Sequence, residues 1–499
     1  MMFVSPLGRR AGAALLALAL LAPLSAQAPA RNVASSAAPR APSLAARIDA
    51  VLARPQLRGS RWGIEVRDAG TGRVLYAREA SRPMIPASNL KLVVTATAAH
   101  HLPADYRFRT SLYATGPVQD GTLRGDLVLY GRGDPLISGR YFSSRTAVWE
   151  MLADSLRARG IKRVTGSVVA DESWWDTEYV RPDWDPADQL WWYAAPVNAL
   201  GFADNAIDFR IVPGAVGQPA RITGEPRTAS WSLRNESRTV GAGGARTLDF
   251  DRVPGTNQVR AYGNYPADGS ADTESFAVQQ PARWAGTAFR EALVRRGIAV
   301  DEPGVRVVSD PSSSVGGGTA LAEWRSPELP RAIAPILLSS QNWIAESLLK
   351  TVGREVNGAG SWAAGLAAER AFLTGVVGID SADFVLRDGS GLSAQNRITP
   401  HALVNLLDYI WRTPRQSIVR ASLPVSGRTG SLLHRLEDLP GRVAAKTGYI
   451  GGVDSLSGRL TLEDGRQVLF CIIANDSREP SARIKAGIDD VVRAIAAGA

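Results

Sequence analysis

Ser88 and Lys91 stand three residues apart in Pro86-Ala87-Ser88-Asn89-Leu90-Lys91, directly before the apolar run Leu92-Val93-Val94-Thr95-Ala96-Thr97-Ala98-Ala99. The run reads as the start of a buried helix, on which residues i and i+3 share a face. A hydroxyl in the first turn lies beside unpaired backbone N–H groups, which favour developing negative charge. An amine held against that hydroxyl in apolar surroundings can activate it as a nucleophile without histidine. The plain alternative is an N-cap serine beside a solvated lysine. Ser347-Leu-Leu-Lys350 repeats the spacing and reads as ordinary helix positions. Lysine usage favours the chemistry. Of 57 basic residues only five are lysine, at 91, 162, 350, 446 and 485. A chain that writes its cations as arginine keeps lysine where a proton must be shed, because lysine deprotonates on desolvation and arginine does not.

Two further pieces follow in the chain, Ser340-Gln341-Asn342 between two helical stretches and Lys446-Thr447-Gly448 at the end of a strand. Ser-x-Asn is commonplace, whereas Lys-Thr-Gly is sharp in a chain with so few lysines. Together, in this order and on helix, loop and strand, the three form the signature of class A β-lactamases and penicillin-binding proteins. The chain resembles the D-alanyl-D-alanine carboxypeptidase/endopeptidases among the class C low-molecular-mass penicillin-binding proteins. The resemblance extends to Gly125-Asp-Leu-Val-Leu with Gly133-Asp-Pro135, and to Ala195-Pro-Val-Asn-Ala-Leu200 with Asp204-Asn205. It also takes in Asp388-Gly-Ser-Gly-Leu-Ser393 and Leu423-Pro-Val-Ser-Gly427, and covers the chain from about residue 45 to its end. The long gap between Ser88 and Ser340 fits this family and is much too long for a class A β-lactamase.

The resemblance implies an acyl-enzyme on Ser88, formed from the carbonyl between two D-alanines, with Lys91 as general base. Ser340 and Lys446 would relay the proton to the leaving D-alanine, and Asn342 would hold Lys91 and the substrate amide. Thr447 and Lys446 would take the terminal carboxylate, with Gly448 beside them, and the backbone N–H groups of Ser88 and Tyr449 would form the oxyanion hole. Residues 388–393 form a tight turn that, by the resemblance, lines the site. No cofactor is implied. The expected partners are peptidoglycan peptides, with β-lactams as covalent inhibitors. Gln341 and Asn198 stand where relatives carry aspartate and serine. Tyr449 follows Lys-Thr-Gly where a small residue is usual, a ring that would narrow substrate choice or slow acylation. Two other readings remain: a weakly active or inactive wall-binding scaffold of the same fold, and a β-lactamase. The second lacks a Glu-x-x-x-Asn deacylation motif after Ser340.

The elements that must bring these residues together lie far apart in sequence. The chain has 499 residues, too many for one ordinary domain, with 45% apolar and 21% charged residues typical of a globular protein. A net charge of +9 is spread without a basic block, which argues against nucleic-acid binding. The four histidines, at 100, 101, 401 and 434, form no metal cluster, and no Gly-x-Ser-x-Gly elbow occurs, so metal chemistry and a Ser-His-Asp triad are not expected. Cys471, the single cysteine, reads as a small core hydrophobe.

Residues 1–28 read as a signal peptide, with Arg9-Arg10, an apolar stretch from Ala13 to Leu24, and a small-x-small site at Ala26-Gln-Ala28; cleavage after Ala30 is the alternative. Residues 29–42 form an Ala/Pro/Ser-rich leader. The expected product is exported, periplasmic or cell-wall-associated, with no integral membrane segment after cleavage. Residues 43–105 and 327–499 are expected to build one discontinuous penicillin-binding (DD-peptidase) domain around a mostly β insertion, 106–326. A hairpin at 62–77 and three strands between 442 and 474 would complete an antiparallel five-stranded sheet with helices on its faces. The order of hairpin, helices and hairpin is not that of a parallel βαβ sheet, so the fold class is α/β in the α+β sense. The segment 205–280 reads as antiparallel β with many turns.

Overall fold

In the strand Gln467–Asn475, every residue from Val468 to Asn475 is buried, so it must be covered on both faces. The side chains alternate between two cores as the pleat requires. Val468, Phe470, Ile472 and Ala474 enter one core with Ile48 and Val51 of the helix Leu44–Leu52 and Ile484, Ile488 and Val491 of the helix Ser481–Ala496. Leu469, Cys471 and Ile473 enter the other, with the helices Lys91–His101 and Pro400–Arg412. Cys471 is a core hydrophobe; burial pushes its thiol up to about 12. The computed structural model describes residues 42–313 and 318–498. The signal-peptide reading and the leader before Pro42 lie outside the described residues.

This strand is the centre of an antiparallel five-stranded sheet ordered Val74–Arg78, Arg61–Asp68, Gln467–Asn475, Val453–Thr461, Val443–Ile450. The expected α+β sheet is therefore present, with strands from both ends of the chain. Its outer strand carries residues 446–449. In the helix Lys91–His101 all residues from Lys91 to Ala99 are buried, the mark of a helix wrapped by protein on every side. It packs against the helix Asn342–Asn357, so the first and second motifs meet although 252 positions separate Ser88 from Ser340.

Between these pieces the chain builds several smaller sheets around a core of its own, which includes Trp149, Phe202, Phe209 and Trp284. Two features differ from the sequence reading of this stretch. Ser232–Val240 pairs in parallel with Gln258–Pro266 over nine residues, because Asp249–Arg252 forms the hairpin with the far edge of Gln258–Pro266 and leaves the near edge for the earlier strand. Leu127–Gly131, Val168–Asp171 and Val305–Val308 are also parallel, and the helices Ala147–Ala158 and Pro281–Arg295 lie in the connections between them. The stretch also does not keep to itself. Trp175, Trp184, Ala194, Ala195 and Val197 belong to the core of the Lys91–His101 helix. Among the described residues no helix is long and apolar enough to cross a membrane.

Candidate active site

Ser88 sits in a single 3₁₀ turn, Ala87–Leu90, that runs straight into the helix beginning at Lys91. In 3₁₀ geometry residues i and i+3 eclipse, which stacks Lys91 over Ser88. Lys91 Nζ lies 2.8 Å from Ser88 Oγ, 2.7 Å from Asn342 Oδ1 and 2.6 Å from the Ser390 carbonyl oxygen. Asn342 presents oxygen to the lysine because its Nδ2 donates to the Tyr193 carbonyl at 2.8 Å. Both of the latter partners can only accept, so they take two N–H bonds. A neutral amine then has its lone pair left for the Ser88 hydroxyl proton. Lys91 is fully buried, and burial brings it down to about 7, while the charges of Glu346 and Asp388 pull the other way.

The serine turn is pinned to the sheet. Ser455 Oγ donates to the Pro86 carbonyl at 2.8 Å, and Asn89 Nδ2 donates to Ser457 Oγ at 2.7 Å. Gly448 allows the outer strand to lie flat against this turn: a Cβ there would fall 2.3 Å from Ser455 Oγ and 3.0 Å from the Ser88 nitrogen. Ala87 is held at φ +47, and Gly391 crosses its carbonyl so closely that a Cβ would lie 2.0 Å from the oxygen.

Lys446 is the second buried amine. Its Nζ donates to Ser340 Oγ at 3.0 Å and to the Thr447 carbonyl at 2.6 Å. Burial, and then the charge of Lys91, hold it well below the ordinary lysine range. Thr447 Oγ1 lies 2.7 Å from Ser431 Oγ. Ser340 takes a left-handed φ of +59, and Gln341 caps the helix Asn342–Asn357 by accepting from the Trp343 nitrogen.

These groups surround a cleft of about 620 Å³. Ser88, Ser340, Asn342, Thr447, Gly448 and Tyr449 line it, with Lys91 and Lys446 buried beneath. The Ala445 N–H bonds outward to the Pro424 carbonyl, and the two-residue period of the strand sets the Tyr449 N–H on the same outer edge. The Tyr449 ring stands 55% exposed with the Lys485 amine 4.9 Å above it. From the turn at 388–393, Gly391 and Leu392 reach the cleft wall. Among the described residues no group of three or more His, Cys, Asp or Glu is placed to hold a metal ion.

Sequence reasoning missed part of the site. Asp188, Trp192 and Tyr193 of the inserted stretch form one wall, and Ser431, Arg435 and Lys485 another. Ser390 and Tyr193 act through backbone carbonyls, which leave no trace in residue type. Lys350 is no ordinary helix position. It is fully buried, donates to Asp176 Oδ1 at 2.7 Å and the Glu178 carbonyl at 2.6 Å, and sits 3.9 Å over the Trp362 ring.

Three comparisons with known proteins bear on this geometry. The profile of the D-Ala-D-Ala carboxypeptidase 3 (S13) family matches residues 44–495. A D-alanyl-D-alanine carboxypeptidase of Actinomadura sp. (strain R39) is 35% identical over 497 residues, covering 95% of this chain and 88% of its own. The crystal structure of penicillin binding protein 4 (dacB) from Haemophilus influenzae superimposes with a TM-score of 0.78 at 23% identity, over 90% of this chain and 99% of that one. The same protein complexed with a novel β-lactam gives 0.73 at 23% identity, over 90% and 98%. These two structures share the fold.

Proposed function

Because the chain belongs to the D-Ala-D-Ala carboxypeptidase 3 (S13) family, we propose that Ser88 is the residue its substrate acylates. A family member of this kind is a serine peptidase that works through an acyl-enzyme. The observation that carries the assignment to Ser88 is the Lys91 amine, whose two N–H bonds are taken by Asn342 Oδ1 and the Ser390 carbonyl while its third direction faces Ser88 Oγ.

Lys91 removes the Ser88 proton as Oγ attacks the carbonyl of the penultimate D-alanine. The oxyanion is received by the backbone N–H groups of Ser88 and Tyr449. In other enzymes the loss of one such donor costs about 2.7–4 kcal/mol. The proton held by Lys91 returns through Lys446 and Ser340, joined at 3.0 Å, to the nitrogen of the departing D-alanine. Thr447 and Ser431 hydroxyls bind the terminal carboxylate. Its charge raises the proton affinity of Lys446, so the relay is loaded when substrate arrives. Water then releases the acyl group from Ser88.

The substrates in this reading are peptidoglycan stem peptides or their D-alanine crosslinks, met outside the cytoplasmic membrane in the periplasm or at the wall. β-Lactams would acylate Ser88 in the same way, and the β-lactam complex of the Haemophilus influenzae protein supports that extension. Domains at 43–105 with 327–499, around an insertion at 106–326, remain our organisation of the chain; the contribution of Trp192 and Tyr193 to the cleft makes the insertion part of the working site. The deciding experiment is release of D-alanine from a pentapeptide ending in D-Ala-D-Ala, alongside covalent labelling by fluorescent penicillin. Wild type performs both and Ser88→Ala neither; labelling that survives in Ser88→Ala removes the serine from its role.

A further inference from the structure

Asn342, Glu346 and Lys350 are spaced four apart on the helix Asn342–Asn357, and all three are buried. Residues at that spacing share one helix face. Asn342 holds Lys91 and Lys350 grips the inserted stretch at Asp176 and Glu178, which leaves the carboxylate between them to be explained. Glu346 is fully buried. Its Oε1 accepts from the Ser390 nitrogen at 2.7 Å, and its Oε2 accepts from the Gly389 nitrogen at 3.0 Å and from Trp362 Nε1 at 2.8 Å. The carbonyl of that same Ser390 receives the Lys91 amine at 2.6 Å.

We propose that Glu346 is a positioning residue for the reaction: its carboxylate clamps two successive backbone N–H groups of the turn at 389–391, so that the Ser390 carbonyl points at Lys91 and turns the amine lone pair toward Ser88. The proposal rests on the reading of Ser88 and Lys91 given above. Asp388 secures the other end of the turn. Its Oδ1 accepts from the Gly391 nitrogen at 2.8 Å and from Asn396 Nδ2 at 2.9 Å, and its Oδ2 from the Ser393 nitrogen at 2.7 Å and from Trp184 Nε1 at 2.9 Å. All three hydrogen bonds to Glu346 come from neutral N–H donors, so the cost of burying its charge is offset by those bonds and by the more distant charges of Lys91 and Lys350. A negative charge behind a buried amine also moderates the amine's loss of basicity, so the same group sets both the direction and the proton affinity of the base.

Lys91 faces Glu346, Asp388 and Lys446, while Glu346 itself faces Asp388, Lys350 and Glu369. Burial, and then the charge of Asp388, raise Glu346 itself to about 7 against the pull of its bonds from Ser390, Gly389 and Trp362, so its charge builds up over the range in which Lys91 titrates. Glu369 is fully buried and driven well above the usual range by burial and by the other two carboxylates. The base must be neutral to act, so kcat/KM rises with pH through the titration of Lys91. Removing a nearby negative charge makes Lys91 less basic and moves that acid limb to lower pH.

The test is kcat/KM for D-alanine release between pH 5 and 9 in wild type, Glu346→Gln, Glu346→Asp and Trp362→Phe, with thermal unfolding as the control for folding. Glu346→Gln is expected to lose at least tenfold in kcat/KM and to shift the acid limb down by up to about one pH unit, since Glu346 is only partly ionised along that limb. Glu346→Asp keeps the charge with a shorter reach, so the limb stays and the rate drops. Trp362→Phe spares both backbone bonds and stays within threefold of wild type. A Glu346→Gln limb at the wild-type position, whatever the rate, overturns the proposal. Should Glu346→Gln fail to fold, equal effects of Glu346→Asp and Trp362→Phe on acylation of Ser88 overturn it instead. A wild type that releases no D-alanine would defeat the parent reading, a result distinct from an active wild type whose acid limb ignores Glu346.

Discussion

Lys350 Nζ lies 2.7 Å from Asp176 Oδ1 and turns away from Ser347, although Ser347 and Lys350 repeat the spacing of Ser88 and Lys91. The local fold separates the two pairs. Ser88 lies in a 3₁₀ turn that eclipses i and i+3, whereas Ser347 lies inside a regular α-helix, where positions three apart are offset by part of a turn. Both amines are fully buried, but one meets a hydroxyl and the other an anion.

That contrast predicts that Ser347 is dispensable and that Lys350 is needed for stability. Among the described residues Ser347 Oγ is buried without a hydrogen-bond partner. Ser347→Ala therefore removes an unsatisfied hydroxyl, and is expected to leave D-alanine release unchanged and stability unchanged or improved by up to about 1 kcal/mol. Lys350→Ala loses two charge-assisted bonds and is expected to cost about 2–3 kcal/mol in urea unfolding, the lower end favoured because Asp176 stays partly hydrated.

Gly448→Ala tests how closely the outer strand must approach Ser88, the nucleophile of the proposed mechanism. The new Cβ would stand 2.3 Å from Ser455 Oγ and 3.0 Å from the Ser88 nitrogen, so the strand or the serine turn has to move. Displacements of about 1 Å at a reacting centre cost on the order of a hundredfold in rate. Penicillin acylation rates should fall by that factor or more while circular dichroism stays that of wild type. Acylation within fivefold of wild type would mean that the approach is not needed.

Much of this site was legible in the sequence because its strongest signals are local. Ser88 and Lys91 share a turn, Lys446 to Gly448 share a strand end, and the apolar run Val468 to Ile473 reads as a buried strand. Contacts made by main-chain atoms were not legible: the Ser390 and Tyr193 carbonyls that orient Lys91 and Asn342 could belong to any residue type. Glu346 left a clue, a carboxylate midway between Asn342 and Lys350 on one helix face, but two of its partners lie in a turn 43 and 44 residues away. The parallel pairing of Ser232–Val240 with Gln258–Pro266 was hidden for another reason. Alternation tells that a strand is half-buried, not which way its neighbour runs.

Tyr449 separates backbone from side-chain function at one position. Its N–H serves the oxyanion hole in the proposed mechanism, and any residue but proline supplies it. Its ring is largely exposed and touches Lys485 at the rim of the cleft. Tyr449→Ala should change thermal stability by less than about 0.5 kcal/mol. With a short D-Ala-D-Ala peptide its kcat should stay within about threefold, the effect on KM growing as the acyl side of the substrate is lengthened. A uniform fall in kcat for every substrate would place the ring in the chemistry itself.

The buried lysines also make a prediction about stability that follows from the direction of their shifts. Lys91 is brought down to about 7 and Lys446 well below its ordinary range, both mainly by burial. In the unfolded chain each regains a value of about 10.4. Between those limits the unfolded state binds more protons than the native state, so stability rises with pH across the window. Below about pH 7 the full cost of burying Lys91 as an ammonium is present, and above the unfolded value it is gone. Lys446→Met deletes one of these groups. Its melting temperature should therefore exceed that of wild type most at pH 6, and the advantage should shrink steadily toward pH 10 as wild type gains. Other titrating groups cancel in this difference. A constant offset between the two proteins from pH 6 to pH 10 would show that Lys446 keeps its ordinary basicity in the fold and would refute the premise that burial lowers it.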